Sequence, residues 1–327
     1  MIGSSIRQMA ASYSSNIVAA GEFEKTVHVY DVVGGRELCQ FDTGLDFGGR
    51  RLAVSDDGRL CAAGAYNRFG ISLHNASNGE LLWQRKDLKQ VQGLRFSRRH
   101  KNKLFTFFDD RACHLLDVEN GKTTDKIRGM KWTVESPFGD FQYVDEDGHF
   151  RLLDCASGRK IGRKEAHIAV DATFTPQQLV TNEFGESLPG DPYFRDPRKH
   201  FQHIVCYSLR DFSELWRLEK DNPMILPSIG DEVRDGCFQE LGYCSAKNEL
   251  VCVYWASHPK ETRTKDLLCV DPDEGRIVRK VPLRNHPSVS TFVNKGNLLM
   301  SAEGQVVEIE SGRTLHTIEV PTRDYAD

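Results

Sequence analysis

The chain is short of most features that would assign it a chemistry. A membrane helix needs about 20 consecutive apolar residues, and one of the longest apolar runs here, Leu250–Ala256, has seven. The opening residues, Met1-Ile-Gly-Ser-Ser-Ile-Arg7, contain no apolar h-region, so no secretory signal is expected. Nine cysteines are scattered, odd in number and never in a CxxC pair, which argues against a disulfide framework and points to the cytoplasm. Charge of one sign is also missing. Lys and Arg number 43 against 47 Asp and Glu, so the net charge of −4 gives no overall pull toward nucleic acid or an anionic bilayer. There is no nucleophile elbow, HExxH, P-loop or GxGxxG. Gly185-Glu-Ser187-Leu-Pro-Gly190 comes nearest to the first, with the wrong glycine spacing. No stretch sustains a period of 3.6, so helices are not expected.

What is present is a repeat. A β-rich run ends in a polar residue, and four positions later a glycine opens a second run. The instances are Val27–Asp31 with Gly35, Ile71–Asn75 with Gly79, Cys113–Asp117 with Gly121, Phe150–Asp154 with Gly158, Ile204–Ser208 with Phe212, Leu267–Asp271 with Gly275, and Gln305–Glu308 with Gly312. An Asp, Asn or Ser at the strand end bonds its own backbone two residues on, and glycine supplies the positive φ of a tight hairpin. Upstream of each joint lie two further β-rich runs, most clearly Arg51–Ser55, the turn Asp56-Asp-Gly58, and Arg59–Gly64. The unit therefore has four strands, a to d. From Asp31 through Asn75, Asp117, Asp154, Ser208 and Asp271 to Glu308 the spacings are 44, 42, 37, 54, 63 and 37 residues. Four strands at a spacing near 40–45 mark a propeller blade. The expected fold is all-β, a single seven-bladed β-propeller over residues 1–320 with four antiparallel strands per blade and a C-terminal tail at 321–327.

The strand–Asp–turn–Gly–strand joint resembles the WD40 and quinoprotein-like propeller superfamilies over essentially the whole chain. The Trp of the WD40 Trp-Asp pair is absent, its place taken by Tyr30, His74, Leu116, Leu153, Tyr207, Val270 and Val307. Gly79-Glu-Leu-Leu-Trp83 and, at the same offset, Phe212-Ser-Glu-Leu-Trp216 are closer to the Gly-x-x-x-Trp of quinoprotein-like repeats. The resemblance implies a divergent member and carries over no site residue.

Several local patterns have plainer explanations than chemistry. Asp271-Pro-Asp-Glu-Gly275 faintly matches a calcium loop but occupies the hairpin found in every unit, and Asp145-Glu-Asp-Gly148 reads as a b–c turn. His200 and His203, near Asp191 and Asp196, are a metal candidate weakened by a strand spacing that turns the rings to opposite faces. Arg98-Arg-His-Lys101 with Lys103 fills the a–b turn of the third unit and reads as a solvated turn rather than a nucleic-acid contact. No metal, cofactor or catalytic residue is assigned.

Three long connectors remain: about 184–202 between strands b and c of the fifth unit, 220–236 before the sixth, and 256–265 between b and c of the sixth. Strand alternation places all b–c loops and d–a links on one face. These connectors carry Phe184, Tyr193, Phe194, Arg195, Arg198, Phe201, Met224, Ile225 and Leu226, with Trp255 at the edge of the third. Aromatics, Met and Arg are the residue types concentrated at interface centres. The expected function is a non-enzymatic protein–protein interaction module that uses loops of blades five and six, with a protein partner, no nucleic acid and no membrane. Two alternatives stay open: a propeller enzyme with a central-channel site, and a toxin-neutralising binding protein.

Overall fold

Short runs such as Leu60-Cys-Ala-Ala-Gly64 and Leu250-Val-Cys-Val-Tyr254 leave no polar face to turn toward water, so each must be covered on both sides. The computed structural model shows how. It describes residues 2–22, 26–43, 51–65, 69–100, 102–108, 112–146, 149–165, 169–183, 203–219, 235–258, 261–283 and 289–324. These form seven four-stranded antiparallel sheets, each a simple meander, with no helix among the described residues. The fold is a seven-bladed β-propeller.

In chain order, blade one is β2 (Ile6–Ala11), β3 (Ile17–Glu22), β4 (Thr26–Asp31) and β5 (Arg36–Asp42), and blade two is β6 (Leu52–Val54), β7 (Leu60–Gly64), β8 (Ile71–Asn75) and β9 (Leu81–Arg85). Blade three is β10 (Val91–Phe96), β11 (Lys103–Phe108), β12 (Ala112–Asp117) and β13 (Thr123–Arg128); blade four is β14 (Met130–Glu135), β15 (Phe141–Glu146), β16 (His149–Asp154) and β17 (Arg159–Glu165). Blade five is β18 (Ala169–Phe174), β19 (Gln178–Glu183), β20 (His203–Ser208) and β21 (Glu214–Glu219), and blade six is β22 (Asp235–Cys244), β23 (Glu249–His258), β24 (Glu261–Val270) and β25 (Ile277–Leu283). Blade seven is β26 (Ser290–Val293), β27 (Leu298–Ser301), β28 (Gln305–Glu308) and β29 (Thr314–Thr317). Two short strands outside the blades, β1 (Ile2–Ser4) and β30 (Thr322–Asp324), pair antiparallel with Gly3 opposite Arg323.

The connector expected as a loop over 256–265 is different in the structure. β23 and β24 run on as a hairpin of ten-residue strands, with Trp255 opposite Lys265 and Ala256 opposite Thr264. The alternation of Glu261-Thr-Arg-Thr-Lys265 is itself a strand pattern, and pairing satisfies backbone groups that a loop would leave to solvent.

The chain divides into two compact units, one of Met1–Glu135, Val144–Asp147 and Pro287–Asp327, the other of Ser136–Tyr143 and Gly148–His286. In the first unit, apolar clusters fill the spaces between blades seven and one, one and two, and two and three. In the second, one cluster joins blades five and six through Ile204, Leu218, Phe238, Leu250 and Tyr254. Strands b and c are the most buried, and the d strands keep an exposed edge.

A single device recurs at the seams. The hairpin glycine four residues past the end of strand c has positive φ, for example Gly121 at 69° and Gly275 at 68°. Lacking a side chain, it lets a residue from strand d of the preceding blade lie directly against the turn. Trp83 covers Gly121 and donates its indole N–H to the Val118 carbonyl at 2.7 Å. Trp216 covers Gly275 and donates to the Pro272 carbonyl at 2.8 Å. His316 sits over Gly35 and bonds the Val32 carbonyl at 2.8 Å, tying blade seven to blade one. Cys39 lies beside Gly79, with Sγ 3.4 Å from the Ala76 carbonyl.

The fifth blade breaks the glycine rule, and the structure shows the compensation. Phe212 replaces the glycine and adopts φ 61°. The strand-d position that faces it, on blade four, is Gly162, where an added Cβ would stand 2.5 Å from the Phe212 Cβ. The large and small residues have exchanged sides of the seam. The single variants Gly162→Trp and Phe212→Gly should each destabilise the protein, by about 1–3 kcal/mol for overpacking and about 3–5 kcal/mol for the vacated ring. The double variant should recover part of the summed loss, with a coupling of about 1–3 kcal/mol in urea unfolding; simple additivity would show that the two positions do not form one seam.

Candidate functional site

The connectors singled out by sequence leave the second unit from a small area. Glu183 ends β19 and pairs with His203, the first residue of β20, so segment 184–202 departs and returns at adjacent backbone positions. One residue before, the buried Asn182 donates from Nδ2 to the Phe238 carbonyl at 3.1 Å. Phe238 lies four residues past the 220–234 connector, opposite Tyr254, and its neighbour Cys237 pairs with Trp255. Asp171 fastens the same seam, its Oδ2 accepting the Leu241 N–H at 3.1 Å. The roots of 184–202 and 220–234 and the position of Trp255 are thereby brought together. Phe184, Tyr193, Phe194, Arg195, Arg198, Phe201, Met224, Ile225 and Leu226 lie outside the described residues, as do His200, Asp191 and Asp196. Trp255 has a described backbone, within β23.

Beneath these roots lies a polar set that sequence reasoning did not find. The buried Glu183 carboxylate accepts from the Tyr207 hydroxyl at 2.6 Å and from Thr181 Oγ1 at 2.8 Å. Lys164 reaches the Tyr207 oxygen, lies 3.9 Å from Glu183 and from Glu214, and places its ammonium over the Tyr207 ring. Arg217 pairs with Glu214 at 2.9 Å, and that bond holds the Glu214 carboxyl below its usual range. Burial, reinforced by Glu183, raises the Tyr207 phenol well above its ordinary value, so Tyr207 remains a donor. Each carboxylate thus has a donor or cation beside it, as buried charge requires, and the set forms a stiff footing for the connectors. Its sequence signal is thin: Lys164, Glu183 and Tyr207 are separated by 19 and 24 residues, and they come together because β19 pairs with β20 and blade four packs beside blade five.

Other candidates resolve into structure. Arg98 is not a solvated turn residue. Its Nε donates to Asp56 Oδ2 at 3.1 Å, its Nη1 to the Glu135 carbonyl at 3.0 Å, and its guanidinium lies over the Tyr13 ring at 4.3 Å. Lys103 pairs with Asp117 at 3.1 Å. In the turn that faintly matched a calcium loop, Asp271 Oδ1 accepts the amides of Asp273 and Glu274 at 2.8 and 3.1 Å, the use expected of a hairpin Asp. Among the described residues no group of three His, Cys, Asp or Glu is placed to hold a metal. A second repeated signature also went unread. Ser12, Ser55, Ser97, Ser136 and Thr175 each follow strand a, and each hydroxyl oxygen accepts an amide of the a–b turn, from Ser15, Leu60, His100, Phe138 and Gln178, at 3.0–3.1 Å.

No family model and no curated protein matches the sequence. Solved structures do match. U3-55K superposes with a TM-score of 0.63 at 14% identity, over 91% of this chain and 88% of that one. BamB from Moraxella catarrhalis gives 0.52 at 13%, over 97% and 88%. These likenesses agree with a seven-bladed β-propeller. Such low identity speaks to the fold alone, and within it the seams carry the Trp-on-Gly contact that the Gly-x-x-x-Trp pattern encodes.

His203 gives the footing a pH response. Burial, then the Arg217 charge, depresses its pKa and outweighs the opposing pull of Glu219 at 3.4 Å and of Glu183. Folding therefore favours the neutral imidazole. Stability should be complete above the unfolded value of about 6.5 and should fall as pH drops through the lowered folded value. His203→Gln should flatten the decline in urea midpoint between pH 7 and about pH 5; an equally steep decline would place the titrating group elsewhere.

Proposed function

We propose that the protein is a non-enzymatic interaction module in which a rigid propeller presents the connectors of blades five and six to a protein partner. The observation that carries this reading is the convergence of their roots through the Asn182–Phe238 hydrogen bond and the Cys237–Trp255 pairing. Loops longer than about 12–15 residues in a compact domain are usually binding elements or unstructured. Residue types that dominate interface energetics, Phe, Tyr, Trp, Met and Arg, are concentrated in these. Phe184, Tyr193, Phe194, Phe201, Met224, Leu226 and Trp255 would supply apolar anchors, with Arg195 and Arg198 fixing orientation. The likeness to U3-55K is compatible with such a role. The described cysteines are free thiols and most are buried, which fits a reducing compartment such as the cytoplasm.

The Glu183–His203 pairing makes the test clean, because a two-residue Asn-Gly turn can replace 184–202 without moving either strand. The shortened chain should keep its melting temperature within a few degrees and lose the partner that the full chain co-purifies from its native host. An unfolded shortened chain would make the segment structural, and an unchanged set of partners would place the interface elsewhere.

A further inference from the structure

A second cleft lies in the first unit, at the seam of blades one and two. It has a volume of about 180 Å³ and is lined by Asp42, Thr43, Ala63–Ala65, Phe69, Gly70, Ser72, His74, Leu81 and Gln84. Among the described residues its mouth carries two apolar side chains. Leu81 is 51% exposed and Phe69 36% exposed. Leu81 sits on the edge strand β9, two residues past the hairpin glycine, where the other d strands carry Glu37, Thr123, Lys160, Glu214 and Thr314, with the buried Ile277 on blade six. Charged and polar residues at that position protect an open strand edge, and blade two dispenses with the protection where the cleft opens.

Its wall contains an unused acceptor. His74 is buried, stacked on Phe41 with ring centroids 3.9 Å apart, and its Nδ1 bonds the Gly79 carbonyl at 3.1 Å. A carbonyl only accepts, so Nδ1 carries the proton and Nε2 of the neutral ring is a bare lone pair. That Nε2 is buried without a hydrogen-bond partner, which is costly unless something arrives to use it. Burial also holds the His74 pKa below its ordinary value, keeping the ring neutral at pH 7. Asp42 is the one formally charged residue among the described residues of the lining. Thr26 Oγ1 donates to its Oδ1 at 3.2 Å and holds the carboxylate in place.

An apolar mouth, one fixed carboxylate and a buried acceptor match a long side chain with an aliphatic stem and several donors at its head. We propose that this cleft receives an arginine side chain from a partner protein, its stem against Leu81 and Phe69 and its guanidinium on Asp42 and His74. The guanidinium is suited because its rigid fork can serve two acceptors at once, and its flat face can lie on Phe69. The site is separate from the blade-five and blade-six connectors, so either can fail without the other.

The test uses the full chain and N-acetyl-arginine N-methylamide as the probe, titrated while histidine side-chain ¹⁵N resonances are followed by NMR. Saturable binding in the millimolar range is expected, with the His74 Nε2 resonance moving in the direction of an accepted hydrogen bond. The citrulline analogue, equal in shape and uncharged, should bind at least about tenfold more weakly. Asp42→Asn and Leu81→Lys change exposed residues and should leave the fold intact, confirmed by an unchanged melting temperature; each should weaken the probe by about tenfold or more. A Gly-Arg-Gly peptide should bind at least as well as the single residue. Equal binding of the citrulline analogue, indifference to Asp42→Asn, or no saturation up to about 20 mM would each overturn the proposal.

Discussion

The contact between a strand-d side chain and the hairpin glycine of the next blade sets the geometry of this protein. A four-stranded meander buries neither of its faces alone and is stable only against neighbours. The apolar clusters between sheets supply the bulk attraction, which has no direction. The seam contact adds direction. An indole or imidazole over a turn that lacks a Cβ, bonded to the carbonyl one residue past strand c, fixes both the distance and the register of two blades. A half-buried Trp in such a place contributes less through packing than the roughly 3–5 kcal/mol of a core Trp, and about 1 kcal/mol more through its hydrogen bond. The exchange of Phe212 for glycine and of Gly162 for the large residue shows that the requirement is on the summed volume at the seam, not on the identity of either residue.

Most of the architecture was legible because it is local. The polar residue at the end of strand c, the glycine four positions later and the β-rich runs around them occur within single hairpins, and each enforces its turn by its own chemistry. The volume exchange at Phe212 was legible only as a missing glycine, since its compensating partner lies 50 residues earlier in the chain. Trp83 and Trp216 could be seen to repeat, but their acceptors are 35 and 56 residues away, so the purpose of the repeat appeared only with the blades side by side. The length of the 256–265 segment suggests a loop, whereas the structure pairs it in the hairpin of β23 and β24.

The candidate site divides in the same way. Its apolar and arginine-rich connectors stand out by composition, which a sequence displays directly. The footing of Lys164, Thr181, Glu183 and Tyr207 does not, because ordinary polar residues become a linked set only through strand register within blade five and the packing of blade four against it. This division of labour suits an interaction module. In the proposed reading the paired sheets and their seams keep the register of the blades, and binding falls to connectors whose roots are held by buried hydrogen bonds. The Leu81 edge of blade two follows the same logic on a smaller scale.

Hydrogen exchange of the indole N–H protons of Trp83 and Trp216 addresses the seam contact most directly, since those two protons are the bonds that join one blade to the next. If the seams hold the blades together, both protons exchange only through global unfolding, and their protection tracks the stability measured in denaturant. Exchange at the rate of a solvent-exposed indole, in a protein whose sheets remain folded, would show that the blades associate without these contacts.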